Sequence, residues 1–172
     1  NKDRKVKFEA FLMETYGTKD IIEGISNNQI FLNHEKIKTL GLNHVDVQNA
    51  IAHEQLSYTN VAKVYTANTM STSNFTNGIE ELLQNGFNQK RSGDVILVDD
   101  IAFISYSKTG STHGSGLNYD THVPLLLFGK GIKQGETFQK TLITDIAPTM
   151  SALLGISFPN GATGQPLGFV LD

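Results

Sequence analysis

Residues 110–129 (GSTHGSGLNYDTHVPLLLFG) carry two of the five histidines, His113 and His122, with Asp120 between them. Glycines at 110, 114 and 116 and the small hydroxyl residues Ser111, Thr112 and Ser115 surround His113. Such a loop lets backbone and imidazole approach an ion or a ligand closely. His113 can therefore serve as a metal ligand, as an acid/base group, or as a loop histidine bonded to backbone. Asp120 and His122 are two residues apart and, at the start of a strand, would share a face. An Asp–His hydrogen bond there would fix the imidazole tautomer. That pattern suits a supporting pair or a structural clamp as well as a pair of ligands.

A zinc site takes about four ligands, about three of them from protein when the site is catalytic. Only His113, Asp120 and His122 cluster in sequence. His34 falls in a first helical turn, His44 near an N-cap and His53 in mid-helix opposite the apolar face, all ordinary surface or cap positions. Turn and helix-start roles account for Asp99, Asp100 and Asp145. Ser111, Thr112 and Ser115 have no evident base partner, so no nucleophile and no catalytic residue is assigned. GSTHGSG lacks a lysine and a strand–loop–helix setting, which excludes a P-loop, a dinucleotide fingerprint and a serine elbow.

The elements that must position these residues are legible from periodicity. Phe8, Phe11, Leu12 and Tyr16, with Gly17 after them, predict an amphipathic helix over 6–16 with a glycine stop. A short strand is expected at 28–33, a short helix from Asn33 closed by Gly41, and a longer helix over about 44–57 with Val47, Ala50, Ile51 and Tyr58 near one face. VAKVYTA (61–67) alternates as a half-buried strand does. A polar loop (68–74) should lead to a helix carrying Phe75, Ile79, Leu82 and Leu83 that ends near Gly86. Strands are expected at 93–100 and 101–107. The apolar run 122–129, entered at Pro124, should be a strand covered on both faces, a piece of a larger sheet. A hairpin-like excursion (131–139) precedes a last helix that starts near Thr144, has Asp145 and Pro148 in its first turn and buries Ile146, Met150, Leu153 and Leu154 before Gly155. The sum is an α/β chain with three parts: a helical segment (1–27), an α+β layer (28–107), and a loop, central strand and helix (108–172).

Composition narrows the function classes. The 172 residues are 39% hydrophobic and 18% charged with net charge −3, so no electrostatic case for a nucleic-acid partner exists. The one basic run, NKDRKVK, is short, interrupted by Asp3, and reads as a solvated helix start. With no cysteine, any metal must be held by nitrogen and oxygen. The longest apolar run, VPLLLF, is too short to span a bilayer, so no membrane partner is expected. Residue 1 opens a charged stretch without the pattern of a signal peptide and is not methionine, which suggests a processed chain or an excised piece.

STHGSGLNYDTHVPLLLFGKGIKQGE, followed by TLITDIAPTMSALLGISFPNGATGQPL, resembles the C-terminal part of bacterial alkaline phosphatases of the phosphate-irrepressible, Bacteroidetes type. QIFLNHEKI, VAKVYTA and KRSGDVIL extend the resemblance upstream, to about residues 5–168. It implies a C-terminal portion of an alkaline-phosphatase-like αβα sandwich with an embedded α+β subdomain (28–107) and, over 108–172, part of the phosphatase core. It implies a periplasmic or extracellular parent that hydrolyses phosphate monoesters with two Zn2+ ions and a covalent phosphothreonine or phosphoserine intermediate. The histidine of the Thr-His-Gly loop, His113 here, would ligate one zinc, while Asp120 and His122 would order the loop and strand behind it.

The family's nucleophile and its remaining zinc ligands have no counterpart in these residues. The chain alone is therefore expected to be inactive and to bind no zinc tightly. Two alternatives stand beside this reading. One keeps the superfamily and changes the substrate to phosphodiesters, nucleotides or sulfate esters. The other is a non-catalytic binding or scaffolding domain. Loss of sheet neighbours around 123–128 should leave an open apolar face and promote self-association.

Overall fold

Helix α1 (Lys2–Tyr16) begins the chain and stops at Gly17, whose φ of +69° and N–H bond to Met13 O (3.0 Å) form a left-handed C-terminal cap. In the computed structural model, which describes residues 2–103 and 113–172, this helix lays Phe8 and Leu12 against a four-stranded sheet. The strands are β1 (Ile22–Ser26), β2 (Gln29–Leu32), β3 (Val61–Thr66) and β4 (Val95–Asp99), in the order β1-β2-β4-β3 and antiparallel throughout. Strand β1 was not expected. It forms a hairpin with β2 through Asn27 and Asn28, both at positive φ (49° and 57°), a conformation asparagine tolerates better than most residues.

Between β2 and β3 lie α2 (His34–Thr39) and α3 (His44–Leu56). Each is capped by an asparagine: Asn33 Oδ1 accepts from Lys36 N, and Asn43 Oδ1 accepts from Val45 N and Asp46 N. Ile37, Val47, Ile51 and Ala52 from these helices meet Ile30, Leu32, Val95 and Leu97 from the sheet and close the core. On β2 and β4 the core residues are two apart, as the pleat requires.

The expected polar loop at 68–74 is instead mostly a helix, α4 (Ala67–Thr72), capped by Thr66 Oγ1 accepting from Thr69 N and anchored by buried Met70. Its serines and threonines lower helix propensity, but the cap and one buried side chain decide. Helix α5 (Gly78–Gly86) follows as expected, with Phe75 just outside it. Beyond β4, residues 101–102 turn rather than extend, and 104–107 of the expected strand lie outside the described residues.

Residues 1–122 and 123–172 form two separate units. The run 122–129, which enters the second unit at Val123, is not a strand among the described residues, because no described strand pairs with it. Leu126 and Phe128 are 88% and 105% exposed. The excursion at 131–139 is no hairpin either. Ile132 makes an isolated antiparallel bridge to Leu171 instead. Helix α7 (Ile146–Leu154), preceded by the single-turn α6 (Asn118–Thr121) in the first unit, ends at Gly155 with φ of +66°. Its buried side is Pro148, Thr149 and Ser151, whereas Ile146, Met150 and Leu154 are exposed. The apolar stripe is present as expected, but within its own unit only Leu153 is half-buried.

Thr149 and Asp145 hold that second unit together. The Thr149 hydroxyl donates to Asp145 O (2.6 Å) and accepts from Leu167 N (2.9 Å). The Asp145 carboxylate accepts from Leu142 N and Gln165 N, and these two bonds hold its pKa below the usual aspartate value. Gly164 sits where a Cβ would lie 2.2 Å from Thr144 O, so only glycine fits.

Candidate metal centre

Three polar side chains that lie far apart in sequence converge where α2, α3 and β4 begin. His34 and His44 each occupy the first helical position after an asparagine cap, and Asp94 precedes β4. One ligand atom from each lies within 4.8 Å of the other two. His34 Nε2 is 3.1 Å from Asp94 Oδ1 and 3.2 Å from Oδ2, and His44 Nε2 is 3.6 Å from Oδ1. The two imidazole centroids are 4.1 Å apart.

Asp94 is fixed from all sides. Its N–H donates to Ile30 O and its carbonyl accepts from Ala67 N, both at 2.8 Å. Its Oδ2 accepts the Leu32 N–H (2.8 Å), and its Oδ1 accepts from Gln48 Nε2 (3.3 Å). The side chain is only 10% exposed, while that of His34 is 62% exposed and gives the cluster an open side.

Gln48 sets the state of His44. Asn68 N–H donates to Gln48 Oε1 (3.1 Å), which turns the amide nitrogen toward His44 Nδ1 at 3.1 Å. Nδ1 then accepts, and the ring proton sits on Nε2. That N–H points toward Asp94 Oδ1 at a distance too long for a hydrogen bond, and Nε2 is buried with no hydrogen-bond partner. A buried unpaired donor costs about 1–3 kcal/mol. Burial, and then the neighbouring His34, lower the His44 pKa against the opposing pull of Asp94. The start of α3 also disfavours an imidazolium, so both local effects keep His44 in the neutral form.

Sequence reading placed His34 and His44 correctly at helix starts and stopped there. The signal that could have raised them is the repeated Asn-His pair, Asn33-His34 and Asn43-His44, which starts two successive helices with an imidazole. Asp94, 50 residues beyond His44, joins them only through sheet pairing. His53 is exposed on α3, as expected.

His113 follows the residues outside the described part of its loop, and its side chain is exposed. Gly114 has φ of +112°, and a Cβ on Gly116 would lie 3.1 Å from the Ile79 side chain on α5. Asp120 gathers this turn: its Oδ2 accepts from Gly114 N (2.9 Å) and Ser115 N (2.7 Å). The Ser115 backbone and side-chain bonds, then Gly114 and the charge interaction with His113, lower the Asp120 pKa. Asp120 and His122 are not at a strand start. Asp120 belongs to α6, and His122 caps that helix through its N–H to Asn118 O (2.9 Å) with its side chain exposed. The expected Asp–His bond is replaced by the two loop amides, because the helical turn points the carboxylate back toward residue 114.

Helices on an antiparallel sheet, a cluster of nitrogen and oxygen donors that could hold a metal ion, and a His-Gly-Ser turn gathered by Asp120 make up a mixed α/β chain. No family model matches the sequence. Alkaline phosphatase PafA of Elizabethkingia meningoseptica is 37% identical over 171 residues, 99% of this chain and 31% of that protein. Alkaline phosphatase PhoV of Synechococcus elongatus is 30% identical over 141 residues, 82% of this chain and 26% of that protein. A Myroides odoratus protein named calcium-transporting ATPase is 36% identical over 91% of this chain and 29% of its own length. The crystal structure of wild-type PafA superimposes with a TM-score of 0.90 over 99% of this chain and 33% of that chain. The chain is thus a homologue of bacterial alkaline phosphatases with their mixed α/β topology, and it spans about a third of the length of the curated relatives it matches. No helix among the described residues is long and apolar enough to cross a membrane.

Proposed function

We propose that this chain is the C-terminal part of an exported, zinc-dependent phosphate monoester hydrolase. In that part, residues 28–107 form an embedded α+β subdomain and residues 108–172 a portion of the catalytic core. The observation that carries the reading is the 37% identity to PafA over 171 residues together with the matching fold. The parent acts in the periplasm or outside the cell.

His113 is the residue proposed to ligate zinc. Its donor chemistry fits: an exposed imidazole on a glycine turn whose next two amides are fixed by Asp120, so the ring is presented from an ordered base. Bound zinc would polarise phosphoryl oxygens and lower the pKa of the attacking group. Asp120 holds the turn and keeps a negative charge near His113, which favours a cation there. One imidazole cannot hold the two zinc ions of the proposed parent, so the isolated chain is inactive. The exposed apolar residues of 123–172, among them Leu126, Phe128, Ile143 and Leu154, are covered in the parent by the remainder of that longer chain.

The test is hydrolysis of p-nitrophenyl phosphate by the parent protein and by the 172-residue chain. Activity in the first and none in the second is expected. An inactive, zinc-free parent would favour a scaffolding role and sink the reading. Concentration-dependent sedimentation of the isolated chain is expected from its open apolar face.

A further inference from the structure

We infer that His34 Nε2, His44 Nε2 and Asp94 Oδ1 bind one borderline divalent cation of the Zn2+ class, with Gln48 as the group that orients His44. Nothing in this placement depends on what the longer chain hydrolyses.

The spacing suits such an ion. Nitrogen and oxygen donors about 2.0–2.1 Å from zinc at tetrahedral angles lie about 3.3 Å from one another. The two His–Asp separations, 3.1 and 3.6 Å, bracket that value. Two imidazoles and one carboxylate select Zn2+, Co2+, Ni2+ or Cu2+ over Mg2+ or Ca2+, which prefer all-oxygen sites. The carboxylate supplies the negative charge that a cation beside two helix starts requires. The exposed side of His34 leaves room for a water as fourth ligand.

A second observation points the same way. His44 Nε2 is buried, aimed into the cluster and without a hydrogen-bond partner. Binding an ion there replaces the Nε2 proton by the metal and moves the ring proton to Nδ1. The Gln48 amide then turns so that Oε1 accepts from Nδ1–H, and the half-buried Asn68 N–H gives up its bond to Gln48. This exchange sets the affinity and makes Gln48 its lever. A glutamate at 48 offers one oxygen to Asn68 N–H and one to His44 Nδ1–H but replaces the amide that donates to Asp94 Oδ1 by a second carboxylate, a repulsion that a bound cation relieves, so Gln48→Glu favours the loaded state.

The experiment is titration of the full chain, stripped with a chelator, with Zn2+ by calorimetry and with Co2+ by visible absorption. One equivalent of each is expected, the Co2+ form showing d–d bands of a four-coordinate nitrogen/oxygen site. His34→Gln and His44→Gln should each weaken binding at least tenfold, and Gln48→Glu should tighten it by about tenfold. His53→Gln, on the exposed face of the third helix, should leave it unchanged. Circular dichroism of each variant verifies folding, and His34→Gln, at the most exposed ligand, keeps the test open if His44→Gln does not fold. Absence of saturable one-to-one binding overturns the proposal, as does binding that survives His34→Gln. Binding lost on His113→Gln instead would place the ion at the glycine loop, leaving the phosphatase reading standing and this site refuted.

Discussion

Replacing Asp94 by alanine tests how far one carboxylate organises the α2–α3–β4 corner. The Leu32 N–H, buried at the end of β2, would lose its 2.8 Å acceptor and find no other. A buried donor left unpaired costs about 1–3 kcal/mol. Gln48 Nε2 keeps His44 Nδ1 as an acceptor, so its loss is smaller, and the exposed His34 contributes about 0–1 kcal/mol. The total is about 1–4 kcal/mol, or roughly a 10 °C fall in melting temperature for a unit of this size. Asp94→Asn keeps an oxygen for Leu32 but turns its amide nitrogen toward Gln48 Nε2, a donor against a donor, and should cost about half as much. The assay is urea denaturation followed by circular dichroism, in chelator, with hydrogen exchange of the Leu32 amide read by NMR. Stability of Asp94→Ala within about 0.5 kcal/mol of the parent sequence, the usual range for a surface change, or unchanged protection at Leu32, would refute the reasoning.

Three further outcomes follow from other corners of the chain. Thr149→Val keeps the shape but leaves Leu167 N without its acceptor and removes the hydroxyl bond to Asp145 O, so a loss of about 1–3 kcal/mol is expected by thermal denaturation. Gly164→Ala places a Cβ against the Thr144 carbonyl and should destabilise by at least about 2 kcal/mol, or prevent folding of residues 123–172, read by proteolysis. Glu80 accepts from Lys63 Nζ (2.6 Å) and Tyr65 Oη, which hold its pKa at about 2 against 4.5 in the unfolded chain. Its contribution is therefore complete above pH 4.5, declines as pH falls toward 2 and is absent below. The stability difference between the parent sequence and Glu80→Gln, from urea midpoints, should shrink over that window and not between pH 6 and 8.

Local chemistry made much of this fold readable. Asn33 caps the helix it was expected to start, Gly17 and Gly155 stop theirs, and the valine-rich segments around 61 and 95 are strands. What sequence alone could not supply depends on partners. The apolar stripe Ile146–Met150–Leu154 announces a helix but not which side is covered, and here the small polar side is. The run 123–128 has the composition of a central strand, yet a strand exists only with a neighbour to pair with. Strand β1 was hidden by Glu23 and Gly24 and is held by an Asn-Asn turn, a weaker hairpin signal than Asn-Gly. In the site, Asp120 ordering the turn behind His113 was anticipated, although from a strand rather than a helical turn. The His34–His44–Asp94 convergence was not, because its members meet only after β2 and β4 pair.

His113 is the proposed zinc ligand of a longer phosphatase chain. Zinc content per chain and p-nitrophenyl phosphate turnover, measured together on the parent protein and its His113→Ala variant, test it most directly. The variant should lose about one zinc equivalent and, by order of magnitude for removal of a catalytic-metal ligand, at least about a hundredfold in turnover, with circular dichroism unchanged. Full zinc content and full turnover in His113→Ala would contradict it.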